Sequence, residues 1–317
     1  MQKVILDLYK TAYRIRAVEK EISRRYSEEK MRCPVHLSIG QEAVSAAFSL
    51  VAKKKDFTVS THRGHAHYLA KGGSLKKMIA EIYGKETGCS KGKGGSMHLI
   101  DTSCNFMGTS AIVANSIPTG VGLGFSSKFE KKNKISYIFL GDAATEEGVF
   151  YESINFSIIK NLPVIFICEN NLYSVYSNLS VRQPKSRKIY KMCNSLGINS
   201  TVCDGNDFLK SYRALKKASD FVIKKKRPFF IEFKTYRYLE HCGPNYDNHL
   251  TYRSQKEYDF WKKKDPIESF KKKLSKKQLL MIQKFEKKVT EEIYQAFLFA
   301  EKSKFPKKSL AFKNVYA

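Results

Sequence analysis

ISYIFLGDAATEEGVFYESINFSIIKNLPVIFICENN, residues 135–171, decides how this chain folds. Two near-continuous apolar runs, ISYIFL (135–140) and VIFICE (164–169), flank a stretch with helical spacing, VFYESINFSIIK (149–160). Such runs predict strands covered on both faces, the pattern of a parallel sheet with helices on either side. Ligands of an open parallel sheet sit outside the carboxyl ends of its strands. The first run leads straight into Gly141-Asp142 and the second into Asn170-Asn171, so an aspartate and an asparagine emerge where a ligand would lie. Their hard oxygens suit Mg, with phosphate oxygens filling the remaining positions. Ala143 and Ala144 are small enough to let the backbone approach a diphosphate, and the start of the next helix favours an anion. Glu146 and Glu147 would repel a phosphate, so they are expected to face a partner or cap that helix.

The alternation extends in both directions. FTVS (57–60), STVC (200–203) and FFIEFKTY (229–236) read as further strands, and 4–27, 41–51, 74–84, 207–226 and 276–303 as helices. The expected fold is α/β: one domain over 1–317 built on a doubly wound parallel sheet, with a helical C-terminal part over about 254–317. STHRGHAHYLAKG (60–72) reads as a strand end followed by a loop crowded with histidines. The glycine-rich stretch 87–118 is expected to be an irregular, ordered binding loop.

Composition narrows the function. Hydrophobic residues are 42% of the chain, enough for a large core. No run of 18 apolar residues exists and the N-terminus lacks the apolar centre of a signal peptide, so no membrane span and a cytoplasmic location are expected. Seven scattered cysteines, odd in number and never spaced as CxxC, argue against a disulfide framework or a zinc site. The net charge of +27 is spread over the chain without a nucleic-acid-reading motif, and reads as a lysine-rich solvated surface with no specific nucleic-acid partner. The glycine clusters fail as nucleotide motifs. Gly88 to Gly92-Lys93 has one residue too few for a P-loop, and GVGLG (120–124) is not GxGxxG. His62, His65 and His67 have no adjacent carboxylate or cysteine that would make them a metal site, and nothing in the sequence around Cys242 depresses its thiol pKa.

Asp142 and Asn171 stand 29 positions apart with a helix and a strand between them, the spacing of thiamine diphosphate enzymes. The stretch GDAATEEGVFYES…LPVIFICENNLYSVYS, with STHRGHAHYLAKG (60–72), KGKGGSMH (91–98), TYRYLEHCGP (235–244) and the closing NVYA, resembles the alpha subunit of the decarboxylating first component of 2-oxo acid dehydrogenases. That group includes pyruvate, branched-chain 2-oxo acid and acetoin dehydrogenases. The likeness is collinear from about residue 5 to residue 317.

The resemblance implies a sheet of the thiamine diphosphate-binding type and a role for each matching position. Asp142, the Asn171 side chain and the Tyr173 carbonyl would hold Mg. Arg63 would contact the diphosphate, beside His62, which stands where many relatives have tyrosine. Gly141, Ala143 and Ala144 would line the cofactor, and the backbone of Ala111 and Val113 would bond its aminopyrimidine. His65 and His241 match two catalytic histidines suited to proton transfer. Cys242 sits where mitochondrial relatives carry a regulatory serine, which removes phosphorylation there. The implied activity is decarboxylation of a 2-oxo acid, or cleavage of acetoin, followed by acyl transfer. The implied partner is a beta subunit carrying the cofactor-activating glutamate, in a two-alpha two-beta heterotetramer, with a lipoyl transacylase as candidate acceptor. A thiamine diphosphate-dependent carboligase or transketolase-like synthase is the alternative.

Overall fold

The computed structural model describes residues 2–313 except 273; the closing NVYA lies outside the described residues. Six parallel strands form the sheet: β1 (Phe57–Thr61), β2 (Phe106–Ser110), β3 (Ser136–Gly141), β4 (Val164–Asn170), β7 (Asn199–Asp204) and β8 (Phe229–Lys234). A short antiparallel hairpin, β5 (Tyr173–Ser174) with β6 (Ser177–Asn178), stands apart from it. The sheet order is β2-β1-β3-β4-β8-β7. Successive connections therefore leave β1 and β3 in opposite directions, which opens a crevice at the carboxyl edge between them.

β3 and β4 are buried along almost their whole length because both faces are covered. On one side lie Glu42–Val51 and Phe208–Lys225, burying Phe48, Leu215 and Val222 against Tyr137, Phe139 and Ile167. On the other lie Ser116–Phe129 and Gly148–Ile159, burying Ile117, Phe150 and Ile154 against Ile138, Leu140 and Phe166. A third cluster joins the N-terminal helix Gln2–Arg25 to Leu75–Ile82 and to the long C-terminal helix Lys276–Lys302. A buried ion-pair group ties the ends together: Arg16 binds Glu42 on one helix and Asp265, 2.9 Å away, at the start of Pro266–Lys271.

Three segments differ from the sequence reading. The histidine-rich loop closes into a short helix, His65–Ala70. The irregular glycine-rich stretch holds an edge strand, β2, reached through a tight turn in which Phe106 N and Asp101 N exchange bonds with each other's carbonyls. SIPTGVGLGFSSKF, which contains a proline and three glycines, is a full helix, Ser116–Phe129. Two of its glycines let that helix lie close on the sheet. A Cβ on Gly120 would come 2.4 Å from Ile138 Cγ1 and 2.7 Å from Val59 Cγ2, and one on Gly124 would meet Val164 Cγ2 at 2.4 Å. Gly122 faces open space.

Alanine at these positions should therefore act in opposite directions. Gly122→Ala should stabilise by up to about 1 kcal/mol through helix propensity. Gly120→Ala should lose about 1–3 kcal/mol to overpacking, partly offset by the same propensity gain. Urea midpoints of the two variants check this, and equal shifts would contradict the close packing.

Candidate active site

A cavity of about 200 Å³ lies outside the carboxyl ends of β1, β2, β3 and β4, at the crevice the strand order creates. His62 and Arg63 follow β1, Ala111 and Val113 follow β2, Gly141 ends β3 with Asp142 to Ala144 after it, and Asn171 and Tyr173 follow β4; all line the cavity, as does His241 from the 235–244 loop. A larger groove of about 750 Å³ near Phe208 and Phe270 has mainly apolar walls and no comparable set of convergent side chains.

Register sets the floor of the cavity. β3 and β4 pair Gly141 with Glu169, so Asp142 leaves its strand level with Asn170 and Asn171 follows one residue further along the adjacent strand. Asp142 is buried, and burial raises its carboxyl pKa against the opposing pull of Arg182. Arg182, at the end of the short helix Leu179–Arg182, binds both Asp142 and Glu146, and Gln183 Nε2 donates to Glu146 at 2.8 Å. Glu146 thus serves an ion pair, while Glu147 occupies the N-cap position of Gly148–Ile159 without a side-chain cap bond. The Asn171 amide is oriented by its neighbours. Its nitrogen donates to Gln41 Oε1 at 3.1 Å, and its oxygen accepts from Tyr173 N at 3.1 Å and keeps a free lone pair.

Arg63 supplies the positive charge. Its guanidinium is buried, donates to Leu37 O at 2.7 Å and His241 O at 3.0 Å, and has no carboxylate within ion-pair distance among the described residues. Desolvation, then repulsion from Arg237, pushes its pKa down to about 10, so an anion in the cavity would be welcome.

His65 is placed differently from the expectation. It is fully buried and absent from the cavity wall, with Nε2 sharing a hydrogen bond with Ser96 Oγ at 2.8 Å and Nδ1 3.7 Å from Glu19 Oε1. His67 is likewise enclosed, between Ser60 Oγ at 2.7 Å and Glu169 Oε2 at 3.2 Å. The glycine-rich segment does not offer its amides to the cavity. The N–H groups of Ser90, Gly92, Gly94 and Gly95 donate at 2.7–3.1 Å to the buried carboxylate of Glu81.

His36, like Gln41, is a cavity residue the sequence did not reveal. It stands alone in CPVHLSIG, and reaches the site through a bridge between its backbone and Gly243 that sets it beside His241. Burial and the nearby Arg63 charge lower the pKa of three imidazoles, to about 2 for His36, about 4 for His62 and about 3 for His241. They are neutral in the folded chain and take up protons when it unfolds. Their stabilisation is present above the unfolded pKa of about 6.5 and is lost as pH falls through the folded values. Each contributes a slope of up to about 1.4 kcal/mol per pH unit inside that window. Stability should drop between pH 6.5 and 4, and His62→Gln should flatten the slope; urea unfolding across this range tests both.

The donor set fits a divalent cation with a phosphorylated ligand. It combines the buried Asp142 carboxylate, an oriented amide oxygen, a backbone carbonyl at Tyr173, open space at Gly141 and an unneutralised arginine. The family model described as dehydrogenase E1 component matches residues 10–309. The chain is similar to the pyruvate dehydrogenase E1 component subunit alpha of Rickettsia bellii, at 35% identity over 97% of this chain and 94% of that protein. The Rickettsia felis protein of the same name is 36% identical over the same shares. A chloroplastic pyruvate dehydrogenase E1 component subunit alpha-3 of Arabidopsis thaliana is 33% identical over 98% of this chain and 74% of its own length. With its sheet, its cavity and these relatives taken together, the chain belongs to the dehydrogenase E1 component family.

Proposed function

We propose that this chain is the alpha subunit of a thiamine diphosphate- and Mg-dependent enzyme that decarboxylates a 2-oxo acid, with pyruvate, the acid in its relatives' names, as substrate. The observation that carries this reading is the convergence of Asp142, Asn171 and Arg63 on one cavity at the strand-order switch. Asp142, the Asn171 oxygen and the Tyr173 carbonyl hold the metal. Arg63 and His62 hold the diphosphate. The backbone of Ala111 and Val113, on the rim, meets the aminopyrimidine, and Gly141, Ala143 and Ala144 leave room for the ligand. When bound, the cofactor supplies the electron sink for decarboxylation.

The remaining work falls to the chain itself. His241, neutral and on the cavity wall, accepts or donates a proton near the reacting carboxylate. His65 acts from behind the wall as a positioning residue, through its bond to Ser96. A beta subunit completes the site and supplies the activating glutamate, in a two-alpha two-beta assembly that passes the acyl group to a lipoyl transacylase. Exposed apolar groups support a partner: Ile112 and Val113 at the rim, and Phe125, Phe129, Phe156 and Ile159 at the far ends of the two helices that cover this face of the sheet.

Calorimetry of thiamine diphosphate with Mg, on the chain co-expressed with a candidate beta subunit, tests the reading. Tight binding that needs Mg, together with carbon dioxide release from pyruvate, is the expected outcome. An assembled complex that binds no cofactor would refute it.

A further inference from the structure

We propose that the groove of about 750 Å³ near Phe208 and Phe270 binds a small carboxylate with an apolar body, of the class of medium-chain aliphatic acids. It lies where the loop after β7 meets the starts of Gln2–Arg25, Pro266–Lys271 and Lys276–Lys302. None of its residues lines the cavity at the strand ends, so the inference stands apart from the thiamine diphosphate reading. Its volume falls within the range of small-molecule pockets, about 300–1,000 Å³. Ile5, Leu6, Phe208, Phe270, Leu274 and Met281 give it apolar walls. Phe270 is held by ring contacts to Tyr9 at 4.9 Å and to Phe208 at 6.2 Å between centroids, so this part of the wall is preformed.

Asn206 gives the apolar groove its polar point. The residue lines the wall and is only 6% exposed. Its amide oxygen accepts from Thr235 Oγ1 at 3.3 Å, which fixes the amide plane and leaves the nitrogen on the other branch. That nitrogen is buried and has no hydrogen-bond partner, although buried polar atoms are nearly always paired. An NH₂ group carries two donors and no acceptor, so the group it calls for is an acceptor oxygen.

Charge decides between a neutral and an anionic acceptor. Lys3, Lys264 and Lys277 line the groove, and neither Lys3 nor Lys277 has a carboxylate within ion-pair distance among the described residues. Gln2–Arg25, Phe208–Lys225 and Lys276–Lys302 also begin here, and the positive ends of these helices favour an anion. Two acids on the wall oppose it, but both are engaged. Asp204 Oδ1 accepts from Asn206 N at 3.0 Å, while Asp207 caps its helix through Lys210 N at 2.9 Å and lies 3.7 Å from Lys210 Nζ. Their charges weigh against a doubly charged phosphate. A single carboxylate satisfies the amide and the lysines, and its hydrocarbon part covers the apolar wall.

The test is isothermal titration of octanoate into the full chain, in any complex it purifies with. One octanoate per chain should bind, and each methylene added between hexanoate and octanoate should tighten binding about 4-fold. Octan-1-ol keeps the chain and loses the charge, and should bind about 10-fold more weakly. Asn206→Asp keeps an acceptor for Thr235 but replaces the donor with a repelling oxygen, which should cost about 10-fold or more. Circular dichroism shows whether that variant folds. If it does not, Met281→Glu decides, because Met281 is 53% exposed and a charge there spoils the apolar wall without entering the core. Thiamine diphosphate with Mg should leave the octanoate affinity unchanged. No binding, several octanoates per chain, equal affinity for octan-1-ol, or an unchanged affinity in the folded variant would each overturn the proposal. Competition with thiamine diphosphate would also overturn it, by placing the acid in the strand-end cavity.

Discussion

Asp142→Ala should lower the affinity of the assembled enzyme for Mg by at least about 100-fold, and Mg-dependent binding of thiamine diphosphate should vanish with it. The size follows from what the residue is. Asp142 is the carboxylate among the proposed protein ligands; Asn171 and Tyr173 offer only neutral oxygens. It is also buried, so its interaction with a divalent ion is weakly screened. Arg182 pairs with this carboxylate. Mg and Arg182 are then two cations on one group, and the ion must use the oxygen Arg182 leaves or displace the guanidinium. Glu146→Gln is the control. It removes the other acid that Arg182 binds, but Glu146 does not line the cavity. Isothermal titration with Mg and cofactor should show binding retained in Glu146→Gln and lost in Asp142→Ala. Equal behaviour of the two variants would place the metal elsewhere.

The parts legible in the sequence were those governed by local pattern. Strands β3 and β4 announced themselves because both faces are buried, which removes the alternation of a half-exposed strand and leaves an apolar run. Once those runs were strands, Asp142 and Asn171 had to lie at their carboxyl ends. The parts that escaped depend on contacts distant in sequence. Ser116–Phe129 has a composition that argues against a helix, and only the proximity of Ile138, Val59 and Val164 explains why Gly120 and Gly124 are there. β2 is an edge strand in which only Phe106 is buried, so it carries little pattern. His36 had no neighbour in sequence to mark it, and its place is set by the bridge to Gly243. His65 matched a catalytic position, yet whether a histidine reaches a cavity depends on which way a short helix turns it. Arg182, paired with Asp142 across 40 positions, was equally invisible.

Glu81 shows the same limit with the larger structural consequence, and Glu81→Gln should destabilise the chain by about 3–5 kcal/mol. In sequence it is one charge on an amphipathic helix, Leu75–Ile82. In the structure it is fully buried, and its two oxygens accept four backbone N–H groups, from Ser90 and Gly92 on Oε2 and from Gly94 and Gly95 on Oε1. The glycines serve this wrapping. A Cβ on Gly88 would come 2.2 Å from Glu81 Oε2, and Gly92 and Gly95 hold positive φ angles of 76° and 59°. Glutamine matches the volume but offers one acceptor oxygen, and its NH₂ would face two N–H donors. Two charge-assisted bonds worth about 1.5–3 kcal/mol each are lost, and two amides are left unsatisfied. The effect should reach the cavity as well as the stability. Ser96 holds His65, and the neighbouring Met97, on the cavity wall, accepts from Thr109 Oγ1 at 2.6 Å through its carbonyl. Hydrogen exchange over 88–98 should therefore accelerate in Glu81→Gln along with the fall in urea midpoint. Exchange that stays slow would mean that the segment is held by contacts other than this carboxylate.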